Sequence, residues 1–303
     1  MNPERLCRLP ETTERKTEQT MKTLLMVAIG GVALYAGLSA LVYFFQRFMV
    51  YHPDTEMRAT PAALDLDYEE VTITTRDGER LGAWFVPHPD SRGVVLYFHG
   101  NAGNISERVD LLPIFHDLHL STCIIDYRGY GRSTGRPTEA GTYRDAEAAW
   151  HYLTDTRGIP PHEIIIHGCS LGGAIALWLA AQHRPGVLVV GSTFLNIRRI
   201  AREMFPVFPV TLLSRIKYDN LKRIRQVHCP VLVMHSTEDD LIPFEHGRKL
   251  FAAANPPKEF LELRGEHGDA LLVSREQLRG TLDAFLNKYF DRSSDPLLRN
   301  LNE

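Results

Sequence analysis

Cysteine is scarce in this sequence and poorly placed for chemistry. Cys7, Cys123, Cys169 and Cys229 show no Cys-x-x-Cys spacing, which leaves no zinc-ligand set and no disulfide framework. Cys123 and Cys169 lie in or beside apolar runs, where a free cysteine acts as a small core hydrophobe. An excess of either charge is also missing. The 34 Lys and Arg stand against 37 Asp and Glu, for a net charge of -3, so the basic footprint of a nucleic-acid binder is absent. No motif for a metal or an organic cofactor is present, and neither is expected.

One stretch has no charge at all. Leu24 to Phe45 is an uncharged apolar run of 22 residues, and about 20 are enough to cross a bilayer as a helix. Tyr43, Phe44 and Phe45 suit an interfacial belt, with Arg47 just beyond. No small-x-small cleavage site follows the run, so a single-pass anchor is expected rather than a signal peptide. Its all-round apolar character also sets it apart from a core helix. Arg5, Arg8, Arg15, Lys16 and Lys22 precede it, and this bias places the large domain on the extracytoplasmic side. Translation from Met21 would leave only Lys22 and remove the bias. Residues 1–23 read as a disordered polar tail. Residues 46–67 read as a linker, with His52-Pro53 and Thr60-Pro61 marking non-helical chain. Residues 291–303 read as a polar C-terminal tail.

Residues 68–290 alternate between strand and helix. Glu69–Thr74 and Leu81–Val86 flank the turn Arg76-Asp77-Gly78-Glu79 and predict a hairpin. From Gly93 onward, continuous apolar runs at 93–98, 122–125, 164–167, 187–191, 231–235 and 260–263 predict strands buried on both faces. Helices are expected at 105–115, 142–154, 173–182, 244–254 and 275–290. The pattern predicts an α/β fold with a mostly parallel central sheet and helices on both faces. Residues 192–227 break the alternation with Phe205-Pro206-Val207-Phe208-Pro209 and the pair Arg198-Arg199. They read as a small helical cap, against the plainer alternative of a crossover helix with a long loop.

The candidate chemistry gathers around Gly168-Cys169-Ser170-Leu171-Gly172. As a bare pentapeptide this is a common turn. Between a strand and a helix it has the form of a nucleophile elbow, in which small neighbours let strand and helix pass close together. The helix start brings free N–H groups and positive dipole toward the serine oxygen. In a parallel sheet, sites form at the carboxyl ends of strands. The polar segments 99–104, 168–172, 238–243 and 265–269 all follow strands, and the order Ser170, Asp239, His267 is the hydrolase order of nucleophile, acid and base. A serine hydroxyl does not ionise at neutral pH. An imidazole, with an ordinary pKa near 6.5, can take its proton and return it to a leaving group. A buried carboxylate fixes the imidazole tautomer and stabilises its charged form. Asp240 is the rival acid and Glu238 a weaker one. The backbone N–H groups of Asn101 and Leu171 are candidate oxyanion donors, each worth about 3 kcal/mol. His99, Asp126 and Arg128 read as structural.

The segments Tyr97-Phe98-His99-Gly100-Asn101-Ala102-Gly103-Asn104, Asp126-Tyr127-Arg128-Gly129-Tyr130-Gly131-Arg132-Ser133, Gly168-Cys169-Ser170-Leu171-Gly172-Gly173 and Asp239-x-x-Ile242-Pro243 together resemble the membrane-anchored Bem46-like α/β-hydrolases. The resemblance covers roughly residues 65–290, and the anchor before them also fits. It selects Asp239 over Asp240, because the family's acid stands four residues before the proline. The family's histidine sits in a Gly-x-His-Asn/Asp context; here Gly268 intervenes between His267 and Asp269. The resemblance implies hydrolysis of an acyl ester or thioester, on a small-molecule or lipid-like substrate and without a cofactor. Two alternatives remain at this level. The same three side chains serve a peptidase or amidase, and the fold also carries non-catalytic binding proteins.

Overall fold

The computed structural model describes residues 11–290; residues 1–10, which include Cys7, and the tail 291–303 lie outside them. The first element is one long helix, α1 (Glu11–Val50). Its most apolar window has a mean hydropathy of 2.1 and is not buried by the domain, unlike a core helix. The helix overruns the expected anchor in both directions. Residues 11–23, expected to be a disordered tail, are helical, as are residues 46–50 of the expected linker. The apolar run supplies the nucleus, and each further residue then adds one hydrogen bond. On the polar flank a Lys22–Glu18 ion pair at 2.6 Å adds i,i+4 support.

The chain then lays down a short strand, β1 (His52–Pro53), before the hairpin β2 (Glu69–Thr74) and β3 (Arg80–Val86). β4 (Val94–Phe98) follows. Beyond it, β5 (Ala102–Gly103) pairs in parallel with β1. The helix expected over 105–115 is instead a 3-10 segment, Ile105–Leu111, followed by α2 (Leu112–His116). Asn104 caps the first piece and Pro113 sits in the opening turn of the second, where a missing N–H costs nothing. Next come β6 (Ser121–Ile125), α3 (Glu139–His151), β7 (Ile164–Cys169), α4 (Leu171–Gln182) and β8 (Val187–Gly191). The expected cap holds three short helices, α5 (Ile197–Met204), α6 (Val210–Leu213) and α7 (Asn220–Arg223). The chain closes with β9 (Val231–Ser236), α8 (Glu245–Ala253), β10 (Lys258–Leu263), α9 (Ala270–Val273) and α10 (Arg275–Tyr289).

Eight strands form one sheet in the order β10-β9-β8-β7-β4-β6-β3-β2. All pairs from β10 to β6 are parallel, and the hairpin adds the antiparallel edge. Alternate strand residues feed two cores. Leu96, Phe98, Ile166 and Val190 face α3 and α4, whereas Val95, Tyr97, Ile165 and Val189 face α2 and α10. The strand order reverses at β4, which has β6 on one side and β7 on the other. Loops diverge at such a switch point and leave a crevice at the carboxyl ends. Phe98 is in register with Gly168, so the loops after β4 and β7 open into that crevice side by side.

Candidate active site

Ser170 sits at the turn from β7 into α4 with φ 54° and ψ -121°, a sparsely populated conformation that costs about 1–3 kcal/mol and persists only where its surroundings hold it. Its N–H donates to the Gly191 carbonyl at 3.0 Å, and its own carbonyl accepts the Thr193 hydroxyl at 2.7 Å. Close approach explains the flanking glycines. A Cβ at Gly172 would lie 2.0 Å from the Phe98 carbonyl oxygen, and one at Gly168 would lie 2.2 Å from the Gly172 carbonyl oxygen.

The structure brings Ser170, His267 and Asp239 together from three loops. Nε2 of His267 lies 2.9 Å from Ser170 Oγ, and its Nδ1 lies 3.0 and 2.9 Å from the two Asp239 oxygens. The Asp239 side chain is fully buried and that of His267 is 14% exposed. Burial opposes the Asp239 charge. Hydrogen bonds from His235 and His267, with the Ile242 N–H, outweigh it and hold the carboxyl well below the usual carboxylate range. Asp239 is therefore charged at neutral pH, beside an imidazole whose free face meets a hydroxyl. This arrangement can move a proton off Ser170.

The two rival acids hold the same loop by other means. Asp240 accepts the His267 backbone N–H at 3.0 Å, while Glu238 accepts the Gly265 N–H at 2.9 Å and pairs with Arg264 at 2.8 Å. Sequence reasoning missed His235. Its Nε2 donates to the Ile242 carbonyl at 2.9 Å and approaches Asp239 at 3.3 Å, bracing the acid from behind. The available signal was its place at the end of β9, four residues before Asp239.

The backbone N–H groups of Asn101 and Leu171 have no acceptor among the described residues. Leu171 is the first residue of α4, where such N–H groups are free by geometry. Asn101 is fixed through its other groups. Its carbonyl accepts from the His52 N–H at 3.0 Å and the Tyr130 hydroxyl at 2.8 Å, and its side chain donates to the Val50 carbonyl at 3.1 Å. His99 lies fully buried beneath this loop, donating from Nδ1 to the Gly100 carbonyl at 2.8 Å. Burial lowers its pKa to about 3, so it stays neutral and structural. Arg128, read as structural, binds the buried Asp145 at 2.7 Å and Asp77 at 2.9 Å.

Above Ser170 lies a cavity of about 320 Å³ that also touches Asn101 and Leu171. Its walls are mostly apolar and come from the cap and, unexpectedly, from α1. Val42, Gln46, Met49 and Val50 face it opposite Phe205 and Leu213. The sequence had presented these α1 residues as anchor and linker only.

An α/β-hydrolase family model matches residues 93–209. An uncharacterized protein of Mycobacterium tuberculosis is 35% identical over 271 residues, covering 88% of this chain and 96% of its own length. Protein bem46 of Schizosaccharomyces pombe is 32% identical over 242 residues, covering 71% of this chain and 80% of its own. This chain belongs to the Bem46-like α/β-hydrolase family. Among solved structures, an esterase of Pyrococcus furiosus superposes with a TM-score of 0.68 over 80% of this chain and 98% of its own, at 21% identity. That likeness is one of fold. It places this Bem46-like chain on the same scaffold, while its site rests on its own residues.

Proposed function

We propose that this protein is a membrane-anchored serine hydrolase that cleaves an acyl ester or thioester through an acyl-enzyme intermediate. The observation that carries the reading is the continuous hydrogen-bonded line from Asp239 through His267 to Ser170 Oγ. Ser170 Oγ attacks the acyl carbon as His267 Nε2 takes its proton. Asp239 holds the Nδ1 proton and stabilises the imidazolium. The Asn101 and Leu171 N–H groups receive the oxyanion of the tetrahedral intermediate. As that intermediate collapses, the proton on Nε2 passes to the departing alkoxide or thiolate, leaving the acyl group on Ser170. A water then repeats the sequence: His267 takes its proton, hydroxide adds to the acyl carbon, and Ser170 leaves with the proton returned. No metal or cofactor enters either half.

The helix α1 supports attachment to a membrane by its length and polarity. The five basic residues before its apolar run favour an extracytoplasmic catalytic domain. The test of the chemistry is covalent labelling by a fluorophosphonate, with turnover measured in parallel. Wild type should label, and Ser170→Ala should neither label nor turn over. Retained turnover in purified Ser170→Ala would remove the reading.

A further inference from the structure

The apolar run of α1 does not stand alone beside the domain. Within it, Tyr35 donates to the Val207 carbonyl at 3.1 Å and stacks on Phe208 with centroids 6.1 Å apart and planes 7° from parallel. Nearer the domain, Gln46 donates to the Leu213 carbonyl at 2.7 Å and accepts the Arg215 N–H at 2.7 Å, while the Arg215 guanidinium lies 5.4 Å from the Tyr43 ring centroid. The tip of the cap therefore runs along α1 from Gln46 down to Tyr35. At 1.5 Å per residue this is about 16 Å of helix, roughly half the thickness of a bilayer's hydrocarbon core.

That tip has the composition of a membrane-seeking segment. Met204-Phe205-Pro206-Val207-Phe208-Pro209-Val210-Thr211-Leu212-Leu213 contains no charge. Val207 is 73% exposed and Met204 is 50% exposed. Exposed charged residues bracket it, Arg198, Arg199, Arg202 and Glu203 before (Glu203 paired with Arg199 at 3.1 Å) and Arg215 and Lys217 after, with cations in excess on both sides, as suits a segment whose two ends meet lipid headgroups. Residues of the same tip wall the cavity above Ser170 together with α1.

We propose that residues 204–213 are immersed in the leaflet that surrounds the C-terminal half of α1, and that the cavity opens to that leaflet between the two. The substrate is then the acyl ester of a membrane lipid, whose chain passes from the bilayer to Ser170 without crossing water. The chemical part of this inference rests on the serine-hydrolase reading; the immersion does not. In turnover, the lipid's acyl C–O bond breaks, its alcohol leaves with a proton from His267, and water completes the fatty acid.

The test uses the full chain reconstituted in phosphatidylcholine vesicles. Val207→Trp should be quenched by lipids brominated along the acyl chain, beyond the quenching of wild type, and shielded from aqueous acrylamide. Quenching by acrylamide but not by brominated lipid overturns the immersion. Val207→Asp changes an exposed side chain outside the cavity wall, and a carboxylate is costly in hydrocarbon. It should lower turnover of a vesicle-resident lipid ester at least about tenfold, on a cost of the size measured for Asp in apolar helices, yet leave soluble p-nitrophenyl butyrate turnover within about twofold, as for ordinary surface substitutions. Equal effects on both esters overturn the lateral route. Turnover of a vesicle-bound S-acylated peptide in place of the lipid ester overturns the lipid assignment. If wild type turns over neither ester, the serine-hydrolase reading falls and the lipid substrate falls with it, while the quenching still decides the immersion.

Discussion

Replacing Asp239 by Asn separates the position of this side chain from its charge. Oδ1 accepts the Leu241 N–H at 3.0 Å and the Ile242 N–H at 2.7 Å, which occupy both its lone pairs although His267 Nδ1 also lies 3.0 Å away; Oδ2 lies 2.9 Å from His267 Nδ1 and 3.3 Å from His235 Nε2. An amide keeps one oxygen, and the two backbone donors hold it in the Oδ1 position. Its NH₂ then faces His267 Nδ1. Two donors cannot share a hydrogen bond, so the imidazole must turn its Nδ1 lone pair to the amide and carry its proton on Nε2. In that tautomer Nε2 has no lone pair for the Ser170 hydroxyl 2.9 Å away. A base held in the wrong tautomer loses about 10⁴ in kcat, or about 5.5 kcal/mol of barrier. Asp240→Asn is the control, because its amide oxygen still accepts the His267 backbone N–H; kcat should stay within about twofold. Steady-state hydrolysis of a p-nitrophenyl ester by purified variants, with thermal melts to verify folding, decides the matter. Asp239→Asn within about tenfold of wild type, or Asp240→Asn falling equally far, would refute the assignment of acid and base.

Three further outcomes follow from local geometry. Gly172→Ala places a methyl 2.0 Å from the Phe98 carbonyl oxygen; the variant should be insoluble or melt well below wild type by calorimetry, with a loss of about 3 kcal/mol or more, as for severe overpacking. Asp126 is buried, and burial raises its pKa to about 7. The folded state thus favours its protonated form, so its contribution to stability is full at low pH and is lost as pH rises from the ordinary carboxylate range through about 7. Denaturant titrations should show wild type losing up to about 1.4 kcal/mol per pH unit there relative to Asp126→Asn; parallel profiles would contradict this. Gln46→Ala removes both bonds from α1 to the cap at Leu213 and Arg215. Proteolytic cutting within 205–215 should speed up about tenfold, the equivalent of roughly 1.4 kcal/mol of lost hydrogen bonding, and an unchanged cutting rate would show that these bonds do not hold the cap.

The parallel sheet was legible because its strands are unbroken apolar runs, and the elbow because glycines flank Ser170 between a strand and a helix. Order after strands pointed to His267 and to the pair Asp239-Asp240, and only the family resemblance chose Asp239, while neither loop's folding could be read from spacing. What brings them together is a set of backbone contacts: Asp240 and Glu238 fix the loop carrying His267, and the Leu241 and Ile242 N–H groups fix Asp239. Such contacts leave little trace in sequence, because many residue types supply the same N–H. His235 was hidden among thirteen histidines, since its role depends on a fold around Asp239 that local pattern does not reveal. The double use of α1 was also invisible. An apolar helix reads the same whether one face meets only lipid or packs on a cap; the packed side is marked by Gln46, bonded to Leu213 and Arg215, and by the Tyr35 hydroxyl, bonded to Val207.

The central claim is that Ser170 is the nucleophile and carries the acyl group between two half-reactions. The most direct measurement is rapid quenching of wild type during turnover of a p-nitrophenyl ester, followed by mass spectrometry of the peptide containing Ser170. The account predicts an added acyl mass on Ser170, absent from Ser170→Ala and His267→Ala. Turnover with no acyl mass on Ser170 at any quench time, together with an adduct on another residue, would contradict it.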